Sequence, residues 1–266
     1  VTVAFKVIIP ARYASTRFPG KVLAEIGGKS LLEHVYNTAD QSAAESVIIA
    51  TDSAEICRKA ENFCSQVQIT ADTHASGTER LIEVVERLNE PDDSIIVNLQ
   101  GDEFNMPPAL VDQVAAALDG CDGAEMATLC TPITEVVDFA NPNVVKVIFD
   151  RDHFALDFRR DPVRWYGNGP APAPGILGYR HIGIYAYRAG FLKGYKTLSP
   201  GKREQQERLE QLRMLEHGRR IHVAIAADRP GIGIDTPEDL ARARSRWESE
   251  KRNAESESKD SEPGNE

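Results

Sequence analysis

Three cations, Arg12, Arg17 and Lys21, fall on one short stretch, KVIIPARYASTRFPGKVL (residues 6–23), of a chain whose formal net charge is −10. The stretch opens as an apolar run and continues in small residues, with Pro19-Gly20 turning the chain ahead of Lys21. A buried strand, a loop of small residues bearing cations and then a helix is the layout of a phosphate site. Backbone N–H groups and a helix N-terminus cradle the anion while Arg and Lys neutralise it. It is not a Walker A loop: Lys21 has Ser15 where that loop needs glycine, and Val22 where it needs Ser or Thr. No GxGxxG fingerprint occurs either. A single such cation could be a solvated loop residue; three together beside a Pro-Gly turn favour an anion site.

Carboxylates supply the complementary chemistry. In IIVNLQGDEFNMPP, Asp102 and Glu103 follow an apolar run at once, which puts them at the carboxyl end of a strand, where open α/β sheets bind ligands. Carboxylates there can hold Mg2+, which prefers oxygen ligands and commonly shares them with substrate phosphates. Asp235 in GIGIDTPEDL follows a second β-like run, with Gly231 and Gly233 permitting close approach. Read with Asp102 it completes a two-carboxylate site; read alone it is an acid ahead of a helix, and GDE alone is a turn. In HASGTERL, Ser76, Gly77 and Thr78 open a helix whose first turn holds Arg80. The helix dipole disfavours a cation there, so the pattern implies a ligand or an ion pair.

The elements that position these residues alternate. Strands are predicted over 5–9, 47–51, 67–70, 95–99 and 126–130, with helices over 31–39, 54–63, 78–88 and 109–118. The apolar run at 95–99 lacks polar alternation, which favours a parallel sheet covered on both faces and a doubly wound first half. The second half holds longer strands, NVVKVIFD and HIGIYAYR, around a Pro- and Gly-rich loop, RWYGNGPAPAPGILGY. A helix over 203–216, a strand over 221–225 and a helix from Thr236 follow. Thr236-Pro237-Glu238-Asp239 combines a hydroxyl cap, proline at the first helical position and acids in the first turn. Residues 1–248 are read as one domain, and 249–266 as a disordered acidic tail, because no apolar residue larger than alanine occurs there.

Composition narrows the partners. Of 266 residues, 41% are hydrophobic and 27% charged, as in an ordinary soluble globular protein. The excess of 41 acids over 31 bases argues against nucleic acid as a partner. No apolar run is long enough to span a bilayer and no signal-peptide pattern opens the chain, so no membrane partner and a cytoplasmic location are expected. Cys57, Cys64, Cys121 and Cys130 show no CxxC pairing, which fits thiols in a reducing compartment.

Together the motifs resemble the CMP-Kdo synthetases, the 3-deoxy-manno-octulosonate (Kdo) cytidylyltransferases. The resemblance runs from residue 5 to about 247 and rests on IPARYASTRFPGK, TDS, HASGTERL, IVNLQGDE, NPNVVKV, HIGIYAYR, LEQLRMLEHG and DTPEDL. It implies an α/β nucleotidyltransferase fold, like that of the nucleotide-diphospho-sugar transferases. Its sheet would be mostly parallel and doubly wound, with a β-rich subregion for the acceptor and for homodimer contacts. The implied reaction moves CMP from CTP to a small acidic acceptor and releases pyrophosphate. By resemblance Arg12, Arg17 and Lys21 contact the CTP phosphates as the catalytic cations, and Ala11, Ser76, Gly77, Arg80 and Gln100 surround the nucleotide. Asp102 and Asp235 match Mg2+ ligands, while Gln100, His181, Tyr185, Glu210 and Gln211 match acceptor contacts.

One segment departs from that family. Where it reads YFSRAxIP, this chain reads DFRRDPVRW: Arg160 keeps the family arginine, and Arg159 and Arg164 are added. Guanidinium forks pair bidentately with carboxylate or phosphonate. The added arginines therefore shift the expected acceptor from Kdo toward a phosphonate such as phosphonoformate, unless they are merely solvated. Kdo itself, a sugar transferase using a nucleotide-sugar donor, and a non-catalytic nucleotide-binding module are the alternatives.

Overall fold

The computed structural model describes residues 3–14, 18–162 and 172–260, with side chains of the last helix described as far as Arg252. The first half alternates as its apolar runs require. β1 (Phe5–Ala11) leads through β2 (Glu25–Ile26) and β3 (Lys29–Ser30) into α1 (Leu31–Asp40). Then follow β4 (Ser46–Thr51), α2 (Ala54–Ala60), β5 (Val67–Ile69), α3 (Gly77–Arg87) and β6 (Ile95–Leu99). Serines open three of these helices: the hydroxyls of Ser30, Ser53 and Ser76 accept from the backbone N–H groups of Glu33, Ile56 and Glu79.

The second half runs β7 (Glu103–Phe104), α4 (Pro108–Asp119), β8 (Met126–Ile133), α5 (Val136–Ala140), β9 (Lys146–Phe149), β10 (Ala155–Arg159) and β11 (Gly178–Arg188). It closes with α6 (Ala189–Tyr195), α7 (Lys202–Glu207), α8 (Leu212–Glu216), β12 (Ile221–Ile225), β13 (Ile232–Gly233) and α9 (Pro237–Asp260).

One nine-stranded sheet organises the chain, in the order β10-β9-β11-β6-β1-β4-β5, with β8 joining β11 to β12. β6, β1, β4 and β5 are parallel. β11 then pairs antiparallel with β6, β8 and β9, so the sheet is mixed, less uniformly parallel than the alternation predicts. Along β1, Val7 and Ile9 face one core with Leu31, Val35 and Val111, whereas Ile8 faces the other with Leu81, Val85 and Leu192. Period-two alternation thus feeds both faces.

Some elements differ from those predicted. The helix expected over 203–216 is broken into α7 and α8, because Arg208 adopts the left-handed conformation (φ 55°, ψ 46°). β10 covers ALDFR, where no strand is predicted. α9 continues to Asp260, through residues that composition alone assigns to a tail. Among the described residues, no helix is long and apolar enough to cross a membrane.

α9 is anchored by Trp247, whose ring meets those of His34 (4.9 Å between centroids) and Phe104 (6.1 Å) edge-on. The anchor matters because the residues just before α9 carry Asp235.

Candidate active site

The carboxyl ends of β1 and β6 and the start of α3 surround a cavity of about 190 Å3. Ala11, Arg12, Lys21, Ser76, Gly77, Arg80, Gln100, Asp102 and Asp235 all line it. Segments far apart in the chain therefore converge where the strand order predicts a ligand. Arg17 lies outside the described residues.

Lys21 is the hub. It is only 8% exposed, and its ammonium donates to the Asp102 carboxylate, to Asp235 Oδ1 at 2.9 Å and to the Ile234 carbonyl at 2.9 Å. Burial alone would lower its pKa, but Asp102 and then Asp235 outweigh that and hold it above the usual lysine value.

What brings Asp235 to Asp102 is a short antiparallel ribbon. Ile232 pairs with Phe104 and Gly233 with Glu103, and the Ile234 N–H donates to the Asp102 carbonyl at 2.9 Å. The helix start beyond it holds too: Thr236 Oγ1 accepts from the Asp239 N–H at 3.2 Å, and Asp239 Oδ2 accepts from the N–H groups of Asp235 and Thr236. Gly231 lets the ribbon close, since a Cβ built there would overlap the backbone carbonyl of Phe104. Gly231→Ala is therefore expected to destabilise the protein by about 1–3 kcal/mol, as overpacking against rigid backbone does, and to move Asp235 off Asp102. Denaturant unfolding checks the first effect and turnover the second.

Arg80 reaches this cavity, but its guanidinium is already engaged. Nη2 donates to Asp52 at 2.7 Å and Nη1 to the Thr70 hydroxyl. The ion pair that its dipole-unfavourable position implies is thus found. Glu103, beside Asp102, is pushed up to about 7 by burial and by the neighbouring carboxylate of Asp102.

A second cavity, of about 850 Å3, adjoins the first, with Gln100 and Asp235 lining both. His181, Tyr185, Glu210 and Gln211 line it as the resemblance implies. The left-handed Arg208 is what turns Glu210 and Gln211 out of a continuous helix. Glu210 Oε1 accepts from Ser76 Oγ at 2.9 Å and Tyr195 OH at 3.0 Å, tying the rims of the two cavities together. Burial raises its pKa. Arg180, Tyr187, Tyr195 and Arg208 also line the cavity and were missed in the sequence. Arg180, next to His181 in a strand, and Arg208, two residues before Glu210, are those whose charge marks them.

His181 is neutral here. Burial, and then the nearby Arg180, push its pKa down to about 3. The Thr128 hydroxyl donates to the Ile184 carbonyl (2.8 Å), so its oxygen accepts from His181 Nε2 at 3.0 Å. A histidine that resists protonation when folded but titrates near 6.5 unfolded leaves stability intact above about pH 6.5 and removes it as the pH falls toward 3. The protein should lose about 2 kcal/mol from this source between pH 6.5 and pH 5. His181→Gln should flatten that slope in denaturant titrations at the two pH values.

Arg159, one of the two added arginines, does not enrich the cavity. Asp157 and Arg159 alternate onto one side of β10, and the Arg159 guanidinium pairs with Asp157, which also binds Arg203. Arg160 donates to the carbonyls of Glu207 (2.9 Å) and Pro142 (3.2 Å), bracing the loop behind Glu210. Arg164 lies outside the described residues.

Comparison with known proteins fits this arrangement. Residues 6–221 match the family described as cytidylyltransferase. A 3-deoxy-manno-octulosonate cytidylyltransferase of Histophilus somni (strain 2336) is 50% identical over 250 residues, covering 91% of this chain and 97% of the relative. The chain belongs to the 3-deoxy-manno-octulosonate cytidylyltransferase family. Members from Pasteurella multocida (strain Pm70; 49% over 252 residues, 91% and 97% covered) and Pseudomonas fluorescens (strain SBW25; 47% over 249 residues, 92% and 98% covered) agree.

Among solved structures, a CMP:2-keto-3-deoxy-manno-octonic acid synthetase complexed with CTP superposes with a TM-score of 0.82 at 36% identity, over 93% of this chain and 99% of that one. A 4-diphosphocytidyl-2C-methyl-D-erythritol synthase shares the fold alone (TM-score 0.61, 15% identity, 92% and 98% covered). Membership in this family makes the chain an enzyme and sets aside the binding-module reading. It also overturns the phosphonate expectation: these family members are named for 3-deoxy-manno-octulosonate. One of the two arginines behind the expectation, Arg159, is neutralised by Asp157.

Proposed function

We propose that the chain transfers CMP from CTP to Kdo with release of pyrophosphate, assisted by Mg2+. The observation that carries this reading is the meeting of two cavities at Gln100 and Asp235, with Lys21, Asp102 and Asp235 clustered at the junction. CTP belongs in the smaller cavity, with its phosphates toward Arg12 and Lys21. Kdo belongs in the larger one, among neutral His181, Tyr185, Glu210 and Gln211. The names of the relatives and the CTP-bound family structure support CTP and Kdo as the two substrates.

Transfer of this kind needs little covalent help from the protein. The anomeric hydroxyl oxygen of Kdo bonds to the α-phosphorus and gives up its proton to solvent, and pyrophosphate leaves with the electron pair of the bridging bond. Arg12 and Lys21 offset charge on the phosphate oxygens. Glu210, fixed by Ser76 and Tyr195, and Gln211 hold the acceptor hydroxyls. Asp102 and Asp235 would hold Mg2+. Two facing carboxylates fit its preference for one or two protein carboxylates plus phosphate oxygens, and among the described residues no larger His, Cys, Asp and Glu cluster competes. Once bound, the ion neutralises charge on the phosphates and orients them.

The working enzyme is taken to be a homodimer, and exposed Val136 and Val137 on α5 supply apolar surface of the kind such a contact uses. Nucleotide choice tests the donor half. With Kdo and Mg2+ present, pyrophosphate should be released from CTP and far more slowly from ATP, GTP or UTP; equal release from all four would refute it.

A further inference from the structure

Lys21 is held between the two carboxylates that the proposed function assigns to Mg2+. All three ammonium donors are engaged, by Asp102, Asp235 Oδ1 and the Ile234 carbonyl. The grip is built from both ends of the side chain. Lys21 opens a turn (Lys21–Leu23) whose preceding Gly20 is left-handed (φ 71°), and the Gly20 N–H donates to the Tyr13 carbonyl at 2.9 Å. A divalent ion drawing one oxygen from each carboxylate would stand within ion-pair distance of the ammonium. Burial weakens solvent screening there, so the repulsion is large. Each oxygen that faces Lys21 would have to share its charge between ammonium and metal, which weakens both contacts. On the open side of Lys21 lies the small cavity, lined by Arg12 and Ala11, where nucleotide phosphates would offer the ammonium new acceptors.

We propose that Lys21 and the divalent cation are alternative occupants of the seat between Asp102 and Asp235, and that a nucleotide's phosphates draw the ammonium away as the metal enters. This rests on the reading of Asp102 and Asp235 as the metal carboxylates. Lys21 then has two posts, one on the carboxylates and one on the phosphates. Metal and nucleotide bind as a linked pair, each raising the other's affinity by the same factor. Without nucleotide, the metal must displace a buried ammonium that has no phosphate to move to.

Mn2+, whose free ion is counted by electron paramagnetic resonance, serves as the probe in place of Mg2+. It is titrated without nucleotide into the full chain, into Lys21→Met and Lys21→Gln, and into Lys21→Met combined with Asp102→Asn. Both single variants should bind Mn2+ about tenfold more tightly than the unaltered chain, or better, and the double variant should lose that gain. Equal affinity in the unaltered chain and in whichever single variant folds overturns the proposal. So does a gain that survives Asp102→Asn, because the ion would then sit elsewhere. Pyrophosphate release by the unaltered chain from CTP and Kdo reports on the functional reading alone, so the two failures are distinguishable.

Discussion

Asp102→Asn should lower kcat/KM for CTP about 100- to 1000-fold, the cost of removing one preorganised electrostatic group at a reacting phosphate, while leaving the protein folded. Asparagine keeps the size of the side chain and an oxygen for Lys21, but it removes the charge that binds a divalent cation. The fold survives because Lys21 retains Asp235 and the Ile234 carbonyl. The backbone of residue 102 still accepts from the Ile234 N–H. Near-normal turnover in the purified variant would remove Asp102 from the metal site, and a collapse of thermal stability would make it structural instead.

Arg80→Ala should act on stability rather than chemistry, costing about 3–5 kcal/mol, as breaking a buried ion pair does by stranding the partner charge. The side chain is 2% exposed and joins three segments: its own helix α3, Asp52 after β4, and Thr70 after β5. Removing it leaves Asp52, itself largely covered, without its cation. Denaturant unfolding in the absence of nucleotide checks this. If Arg80 serves only the nucleotide, stability measured that way will not change.

The part of the fold that sequence makes legible is the part where local pattern and tertiary role agree. β1, β4 and β6 are buried on both faces, so their unbroken Val and Ile runs bound them closely. Hydroxyl caps mark where α1, α2 and α3 begin. Periodicity fails at Arg208, because a left-handed non-glycine residue leaves the apolar spacing of 203–216 intact while breaking the helix. It fails again at β10, a short strand whose charged residues pair with one another and with Arg203.

The candidate site divides along the same line. Arg12, Lys21, Asp102 and Asp235 were visible because each ends a strand or opens a turn beside small residues. Their convergence was not visible, since the ion pairs of Lys21 join residues 81 and 214 positions apart in the chain. The phosphonate expectation fails because it counts charges without locating them. Asp157 and Arg159 alternate onto one side of a strand, and that spacing already contained the pairing that neutralises the added arginine.

The proposed reaction joins CMP to Kdo. The chain, CTP, Mg2+ and Kdo, followed by phosphorus magnetic resonance, test it most directly. The triphosphate signals of CTP should give way to one phosphodiester signal and one of pyrophosphate, the latter twice as intense because its two phosphorus atoms are equivalent, and only when Kdo is present. CTP left intact with Kdo, or pyrophosphate formed without any phosphodiester product, would contradict it.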